Sequence, residues 1–361
     1  MSQPVGPGLL KRAYNYAVGF SAQTAIMGTW CGMTTCLVVY FSKRSLTPET
    51  RNALLKGYGA YFGLTRLMWM NGYGRWSRPT LPRRLQELFL LGFTGACLRW
   101  HRPATRQVVA WTGGEEGLSE KQVVFLNEPH GVGNGILSLL YFVLEERGKR
   151  LGQTQHKSPV ILGSKNVCLV PILAEFCWLL AGSGGFEFAE NVSDIKRALK
   201  SNRDITLVPS GFSTIGTGGR VDWSRRKRFF QLVIDHAKEE GKVINLLPVV
   251  WLHELGSYTW FTSKSKLVER LRVKLRAPIG GIAYGYNPLF FWLPKRGPQL
   301  IGVGGGGVDV RGGEDVAKLK AELKGVFDDT FRAAKGEWND IARETTYLRQ
   351  IEDEEWDFKV A

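Results

Sequence analysis

The sequence predicts an α/β domain with a mixed, largely parallel sheet flanked by helices, preceded by an N-terminal membrane-embedded helical module. From about residue 106 onward, short apolar runs alternate with amphipathic segments. Hydrophobic residues make up 44% of the 361 residues and charged residues 22%, which excludes disorder over most of the chain. We therefore expect three regions: residues 1–105 as the membrane module, 106–340 as the α/β domain and 341–361 as an acidic tail.

The first hundred residues have the composition of a membrane-docking segment. The net charge is +15, and residues 1–106 alone contain 14 Lys and Arg but only Glu49 and Glu87 as acids. Residues 13–42 carry no charge and are long enough to cross a hydrocarbon core of about 30 Å. Residues 85–98 are apolar but too short to span. Basic and aromatic residues between these runs are typical of an interface with anionic lipid. A buried amphipathic helix is the alternative for 13–42.

Other classes of protein fit the composition less well. Basic charge also suits nucleic-acid binding, but no helix-turn-helix, zinc-finger or RNP pattern accompanies it, so we expect no nucleic-acid partner. The five cysteines form no C-x-x-C pair, which supports neither a disulfide framework nor a metal site. The G-x-G-x-G run at 131–135 has the wrong spacing for a dinucleotide loop, and no G-x-S-x-G elbow occurs.

Helices and strands are predicted from apolar runs and their periodicity. The predicted strands are 122–126, 159–162, 204–209, 243–252 and 299–303. The predicted helices are 135–147, 166–180, 192–201, 227–240 and 314–335. Residues 290–294 form an apolar loop, and the acidic residues 351–358 are expected to be a solvated end.

A histidine follows the first of these strands. The segment Asn-Glu-Pro-His-Gly at 127–131 places His130 beside Glu128, in a turn stiffened by Pro129 and opened by Gly131 and Gly133. Sites in α/β sheets are built at such strand ends. His130 is therefore a candidate general base, although a structural histidine in a turn fits the same residues equally well. His253, which follows a later strand, is the second choice.

A glycine-rich loop and a group of cations come after the strand 204–209. Pro209, Ser210 and Gly211 open this loop, and Arg225, Arg226 and Lys227 stand where the next helix begins. A flexible loop that leads into a basic helix start suits phosphate binding. An ordinary solvated helix terminus is equally compatible with these residues.

In order along the chain, these segments resemble the type-2 diacylglycerol acyltransferase family, part of the wider group of glycerolipid acyltransferases. The family's H-P-H-G motif, E-P-H-S in plants, is matched by E-P-H-G at 128–131. Its P-G-G loop is matched loosely by P-S-G at 209–211, and its R-K-G-F helix start by R-K-R-F at 226–229. Its L-V-P-V strand, ending near F-G-E, is matched by L-P-V-V at 247–250 with Glu254 beyond. The resemblance covers about residues 115–335.

The resemblance implies acyl transfer from acyl-CoA to a lipid hydroxyl, most simply from diacylglycerol to triacylglycerol. Monoacylglycerol, a wax alcohol or a lysophospholipid is the alternative acceptor. It implies no metal and no cofactor beyond acyl-CoA as co-substrate. The expected location is the endoplasmic reticulum membrane, with the domain facing the cytosol, or else the lipid droplet; the oligomeric state is not predicted.

The resemblance also implies roles for particular residues. His130 is the general base, with Glu128 as its catalytic companion. The implied substrate-binding residues are Pro129, Gly131, Gly133, Pro209, Ser210, Gly211, Arg225, Arg226, Lys227 and Glu254.

Three departures from the family pattern bear on these roles. Gly135 stands where the wider group has the Asp that orients the imidazole, so Glu128 or Glu254 must take that part. Residues 213–220 lack the acid that usually follows P-G-G, and Arg228 replaces a glycine. A non-catalytic lipid-binding membrane scaffold that keeps the fold is therefore the rival hypothesis.

Overall fold

The computed structural model describes a few short stretches near the N-terminus and the parts of the chain that build the α/β sheet. These are residues 47–50, 52–53, 56–57, 59–60, 108–111, 121–128, 160–162, 187–189, 192–211, 219–224, 226–252, 255, 259–262, 270, 281–284, 300–345 and 348–360. Residues 1–100 with 165–185 form one compact unit, and residues 101–164 with 186–361 form another. Every strand and helix named below belongs to the second unit.

The described strands and helices are as follows. The strands are β1 (Val108–Trp111), β2 (Gln122–Glu128), β3 (Val160–Leu162), β4 (Glu187–Ala189), β5 (Ile205–Leu207), β6 (Arg220–Asp222), β7 (Ile244–Trp251), β8 (Thr259–Thr262), β9 (Gly281–Tyr284), β10 (Leu300–Val303), β11 (Val308–Val310) and β12 (Asp357–Lys359). The helices are α1 (Val192–Lys200), α2 (Lys227–Glu240) and α3 (Val316–Arg343), with a 3-10 turn at Asp353–Glu355.

Eight of these strands form a mixed, largely parallel sheet, as the sequence predicts. Its order is β1-β10-β7-β2-β5-β3-β4, and β11 pairs with β7 as well. β2 lies between β5 and β7 and runs parallel to both, with Leu126 opposite Leu207 and Glu128 opposite Val250. The two antiparallel pairings described in this sheet are those of β10 and β11 with β7, and β1 runs parallel to β10. The carboxyl ends of β2, β5 and β7 therefore meet at one edge of the sheet.

The order of the strands creates a switch point at that edge. The chain leaves β2 and next enters the sheet at β3, on the far side of β5. It leaves β5 and next enters this sheet at β7, on the far side of β2. The two connections thus run in opposite directions, which is the arrangement that defines a switch point between β2 and β5. Ligands of open α/β sheets bind at such points.

The core lies between the central strands and the helices α2 and α3. All residues of β2 and β7 are buried, as expected for central strands covered on both faces. Because side chains alternate along a strand, Val124 and Leu126 face the same side as Glu128. This side packs into the core cluster that also contains Trp223, Phe230 and Phe327.

Helix α2 begins and ends where its sequence predicts. Its buried residues include Phe230, Val233, Ile234 and Ala237, which recur at helical spacing. Gly241 ends it with φ of 59° and donates its backbone N–H to the Ala237 carbonyl. Glycine is favoured there because other residues adopt this left-handed conformation at a cost.

Helix α3 is longer than predicted. Asp315 caps its start by accepting from the N–H groups of Ala317 and Lys318. The prediction ended the helix at residue 335, before a glycine, whereas the helix continues to Arg343. Trp338 and Ala342 prolong its buried stripe, and their burial outweighs the weak helix propensity of Gly336.

The acidic C-terminal segment is not the solvated end that its charge suggested. We call residues 348–360 the C-terminal strap. Ile351 is 1% exposed and Phe358 7%, and β12 pairs in parallel with β6, with Phe358 opposite Val221. The prediction was wrong because apolar residues are interleaved with the acids. Glu352, Asp353, Glu354 and Asp357 are exposed, while the apolar side chains pack on the domain.

The predicted membrane segments 13–42 and 85–98 lie outside the described residues, as do the predicted helices 135–147 and 166–180 and the loop 290–294. Among the residues that the structure describes, no helix is long and apolar enough to cross a membrane.

Truncating the strap's buried ring should destabilise the domain. We expect Phe358→Ala to lower the free energy of unfolding by about 3 kcal/mol, the low end for removing a buried Phe side chain. The neighbouring Lys359 is exposed, so Lys359→Ala is the control and should change stability by less than about 0.5 kcal/mol. Denaturant unfolding of both variants measures this. Equal stability of the two variants would show that the strap does not hold the domain.

Candidate functional site

Glu128 is the last residue of β2 and lies at the switch point. Its side chain points to the α2 and α3 side of the sheet and has no exposed surface. One residue, Pro129, separates it from His130 in the sequence. Because the Glu128 carboxyl is fully buried, its chemistry depends on the protein groups that contact it and not on solvent.

Three donors surround the Glu128 carboxylate. The backbone N–H of Ser210 donates to Oε1 at 2.7 Å, and the Ser210 hydroxyl donates to Oε2 at 2.6 Å. The indole N–H of Trp223 also donates to Oε1, at 3.1 Å. We call Glu128, Ser210 and Trp223 the carboxylate clamp. The clamp ties the end of β2 to the turn after β5 and to the segment that precedes α2.

Burial raises the pKa of Glu128 from its ordinary value of 4.5 to about 7. The hydrogen bonds from Ser210 and Trp223 and the positive charge of Arg226 lower the pKa, but they do not outweigh the loss of hydration. Near neutral pH the carboxyl is therefore divided between its protonated and ionised forms. The protonated form keeps the three contacts if its O–H donates to the Ser210 oxygen, because a hydroxyl accepts as well as donates.

The turn after β5 is shaped to receive Arg226. Gly211 has φ of +62° and its N–H donates to the Val208 carbonyl. A Cβ atom at Gly211 would lie 2.8 Å from the Arg226 guanidinium, so a larger residue would force the guanidinium to shift. Arg226 Nη2 donates to the Ser210 carbonyl at 2.6 Å. The P-S-G turn and the cation of the following motif are thus in direct contact.

The start of α2 is strongly basic. Arg226 occupies the N-cap position without a side-chain cap, and no acid lies in the first turn. Lys227 and Arg228 are exposed, and neither forms an ion pair with any residue that the structure describes. The partial positive charge of a helix N-terminus repels nearby cations. An anion bound there would interact favourably with both the cations and the helix dipole.

Asn127 connects β2 with β5 and β7 on the face of the sheet opposite to that of Glu128. Its side-chain amide donates to the Thr206 hydroxyl at 2.9 Å and the Leu207 carbonyl at 3.0 Å. Its oxygen accepts from the Trp251 indole at 3.2 Å. With Asn127 and Glu128, consecutive residues of β2 fix the strand ends from both faces.

The structure brings together some of the predicted site residues. Glu128, Pro209, Ser210, Gly211 and Arg226 form one connected group, and Lys227 adjoins it. The remaining predicted residues lie outside the described part of the chain: Pro129, His130, Gly131, Gly133, Arg225 and Glu254. The catalytic role of Glu128 stays a prediction. The contacts that the structure describes for Glu128 are those of the carboxylate clamp.

Sequence reasoning missed Trp223 and Asn127. Trp223 follows a strand of three residues in a segment without apolar periodicity. The one available signal was chemical, because a buried indole or amide needs a hydrogen-bond partner. Sequence alone does not show which partner it finds.

Among the described residues, no group of His, Cys, Asp and Glu is arranged to hold a metal ion. Comparison of the chain with protein-family models, curated proteins and solved structures finds no match. The resemblance to an acyltransferase family therefore rests on the four motifs and their arrangement.

Two substitutions at Glu128 separate the shape of its side chain from its charge. Glu128→Ala leaves three buried donors without an acceptor and should lower the free energy of unfolding by about 3 kcal/mol or more. Glu128→Gln should cost less than about 1 kcal/mol, because its oxygen accepts from both N–H groups and its NH₂ donates to Ser210. Denaturant unfolding at pH 7 compares them. A Gln variant as unstable as the Ala variant would contradict the clamp.

The pKa of Glu128 also predicts a pH dependence of stability. The folded protein binds this proton more tightly than the unfolded chain, whose pKa is near 4.5. The free energy of unfolding should therefore fall as the pH rises from 4.5 through about 7, by about 3 kcal/mol from this group alone. The Glu128→Gln variant should lack this component. Unfolding of both proteins from pH 4 to 9 tests it, and parallel curves would refute it.

Proposed function

We propose that this protein is an acyl-CoA-dependent O-acyltransferase that moves a fatty acyl group to a lipid hydroxyl, with diacylglycerol as acceptor and triacylglycerol as product. The observation that carries the proposal is the convergence of the motifs. Glu128 of the first motif binds Ser210 of the second at 2.6 Å, and Arg226 of the third binds the Ser210 carbonyl at 2.6 Å. The fourth lies in β7, directly beside β2.

This convergence is informative because the motifs lie far apart in the sequence. The second begins 81 residues after the first, the third 98 and the fourth 119, by residue number. Parallel strands bring any segments that follow them to one edge of the sheet, but chance matches would have no reason to be joined there by direct hydrogen bonds. They meet at the switch point, where α/β proteins build their sites.

In the proposed reaction, His130 takes the proton of the acceptor hydroxyl as the oxygen attacks the thioester carbonyl of acyl-CoA. The tetrahedral oxyanion receives hydrogen bonds from the backbone N–H groups of residues 131–135. Its collapse breaks the C–S bond, and the leaving thiolate takes the proton from His130. The products are an ester and free CoA, and the base is regenerated.

The CoA phosphates need cations, and we place them at the start of α2. Arg226 is already held against the P-S-G turn, while Lys227 and Arg228 project into solvent. Arg225 is the fourth cation of this group. Phosphate at this helix start would lie next to the turn that the clamp fixes, and so close to the proposed reacting centre.

The acceptor and the acyl chain both dissolve in the bilayer, so we propose that residues 1–105 hold the protein on the membrane of the endoplasmic reticulum, with the domain in the cytosol. The lipid droplet is the second location. The concentration of basic charge in this region supports the proposal. The proposed partners are thus membrane lipid and acyl-CoA.

A non-catalytic lipid-binding scaffold is the second candidate. It is favoured by one observation: donors of Ser210 and Trp223 occupy both carboxylate oxygens of Glu128, so the described contacts of this residue are accounted for without a catalytic role. The two candidates differ in whether the chain transfers acyl groups.

Replacing the proposed base distinguishes the candidates. His130→Ala should lower kcat by at least about 10²-fold, the low end for a positioned general base, and should leave folding nearly unchanged. The assay uses membranes from a host deficient in neutral lipid that expresses the full chain, supplied with labelled acyl-CoA, with the lipid products separated.

His253→Ala is the matched control, because it removes the histidine that follows another strand. It should cost far less activity than His130→Ala at equal protein level. Thermal unfolding of each variant shows whether a loss of activity reflects a loss of folded protein. An active His130→Ala variant would remove the base from the mechanism, and an inactive wild-type chain would favour the scaffold.

A further inference from the structure

Trp223 is the point where three parts of the domain are joined. Its backbone N–H donates to the Lys359 carbonyl of the C-terminal strap at 2.7 Å. Its indole N–H donates to Glu128 at the end of β2. Its carbonyl accepts from the backbone N–H of Arg226 at 3.0 Å, just before α2 begins. No other residue that the structure describes links the strap, β2 and α2 in this way.

Aromatic packing holds the Trp223 ring in one place. The ring is fully buried and meets Phe358 of the strap edge-on at 4.7 Å between centroids. Phe230 of α2 and Phe327 of α3 lie at 5.3 Å on other sides. The position of the indole N–H is therefore set by the strap as well as by the core.

The strap is itself fastened to α3. Trp356 stacks on Phe331 at 4.5 Å and donates its indole N–H to Asp328 at 2.8 Å. The backbone of Ile351 pairs with the Asn339 side chain through two hydrogen bonds. These contacts give the strap a fixed seat from which Phe358 and Lys359 act on Trp223.

We propose that Trp223, seated by the C-terminal strap, is a positioning residue that fixes where Arg226 meets the phosphates of acyl-CoA. This inference rests on the proposed function. Arg226 is held twice through Trp223. Its backbone N–H bonds to the Trp223 carbonyl, and its guanidinium bonds to the Ser210 carbonyl, which is held through Glu128 by the Trp223 indole.

Fixing an arginine in advance favours ligand binding. A free Arg side chain loses about 2 kcal/mol of rotamer entropy when it is immobilised, and a pre-organised one loses less on binding. Loosening Trp223 should therefore weaken the binding of acyl-CoA more than it slows the chemical step. A larger effect on KM than on kcat would distinguish a positioning role of Trp223 from a purely structural role.

The chain provides a closely matched pair of variants. Trp223→Phe and Trp356→Phe each remove one indole N–H that donates to a buried or half-buried carboxylate. Only Trp223 donates to Glu128, while Trp356 donates to Asp328 on α3. The full-length variants are assayed in membranes for kcat, for the KM of acyl-CoA and for the KM of the acceptor lipid, together with their thermal unfolding.

We expect Trp223→Phe to raise the KM for acyl-CoA roughly three- to tenfold, which corresponds to the free energy of about one hydrogen bond. The same variant should change kcat by less than about twofold. Trp356→Phe loses only one of the bonds that seat the strap and keeps an aromatic ring on Phe331, so it should raise the KM for acyl-CoA by less than about twofold and leave kcat and the KM for the acceptor near those of the wild type. An equal change of KM in the two variants, or no change in Trp223→Phe, would overturn the proposal.

Amide hydrogen exchange tests the same inference without any activity. The Ser210 N–H is bonded to Glu128, so its exchange reports whether the clamp is closed. Trp223→Phe should accelerate exchange at Ser210 clearly more than Trp356→Phe does, because only Trp223 donates to Glu128. If the wild-type chain transfers no acyl group, the proposed function fails, and exchange at Ser210 still decides whether Trp223 positions the turn. Unchanged exchange at Ser210 in Trp223→Phe would overturn the claim that Trp223 positions the turn.

Discussion

A carboxylate loses much of its hydration when it is buried, so the burial of Glu128 constrains everything around it. The cost is offset only where donors converge on both oxygens, and three of them do so from Ser210 and Trp223. Those donors come from the turn after β5 and from the segment before α2. The need to satisfy one side chain thus brings the end of β2, the P-S-G turn and the basic helix start into one arrangement.

The same constraint extends to the end of the chain. The Trp223 indole can donate to Glu128 only while its ring is held in place, and Phe358 of the strap is one of the rings that pack against it. A segment that is acidic in composition therefore supports the interior of the domain more than a hundred residues away from its own position in the sequence. The strap, the aromatic cluster and the carboxylate clamp form one continuous set of contacts.

Much of the central sheet could be predicted from the sequence, and the reason is local. β2, β5 and β7 are apolar runs bounded by polar or turn residues, and α2 carries its buried stripe at helical spacing and ends at Gly241. β6 and β12 were missed because each has a single apolar residue between two charged ones, and they pair with each other over a long sequence separation. The strand order was not predictable either, since it depends on long-range pairing.

The candidate site was predicted only in part for a similar reason. Glu128 and Ser210 were each predicted as site residues because each comes at or after the end of a predicted strand. The partnership between Glu128 and Trp223 has no local signature, because it joins residues that are 95 positions apart. The requirement of a buried indole for an acceptor predicts that a partner exists but does not identify it.

A double-mutant cycle between Glu128 and Ser210 tests the central claim most directly, which is that these two motif residues form one unit. The free energy of unfolding is measured for Glu128→Ala, Ser210→Ala and the double variant. The clamp predicts a coupling of at least about 1 kcal/mol, because the second substitution removes a group whose partner is already lost. Glu128→Ala combined with Asp309→Ala, where Asp309 pairs with Lys121 beyond the other end of β2, should be additive. Additivity between Glu128 and Ser210 within about 0.3 kcal/mol would contradict the account.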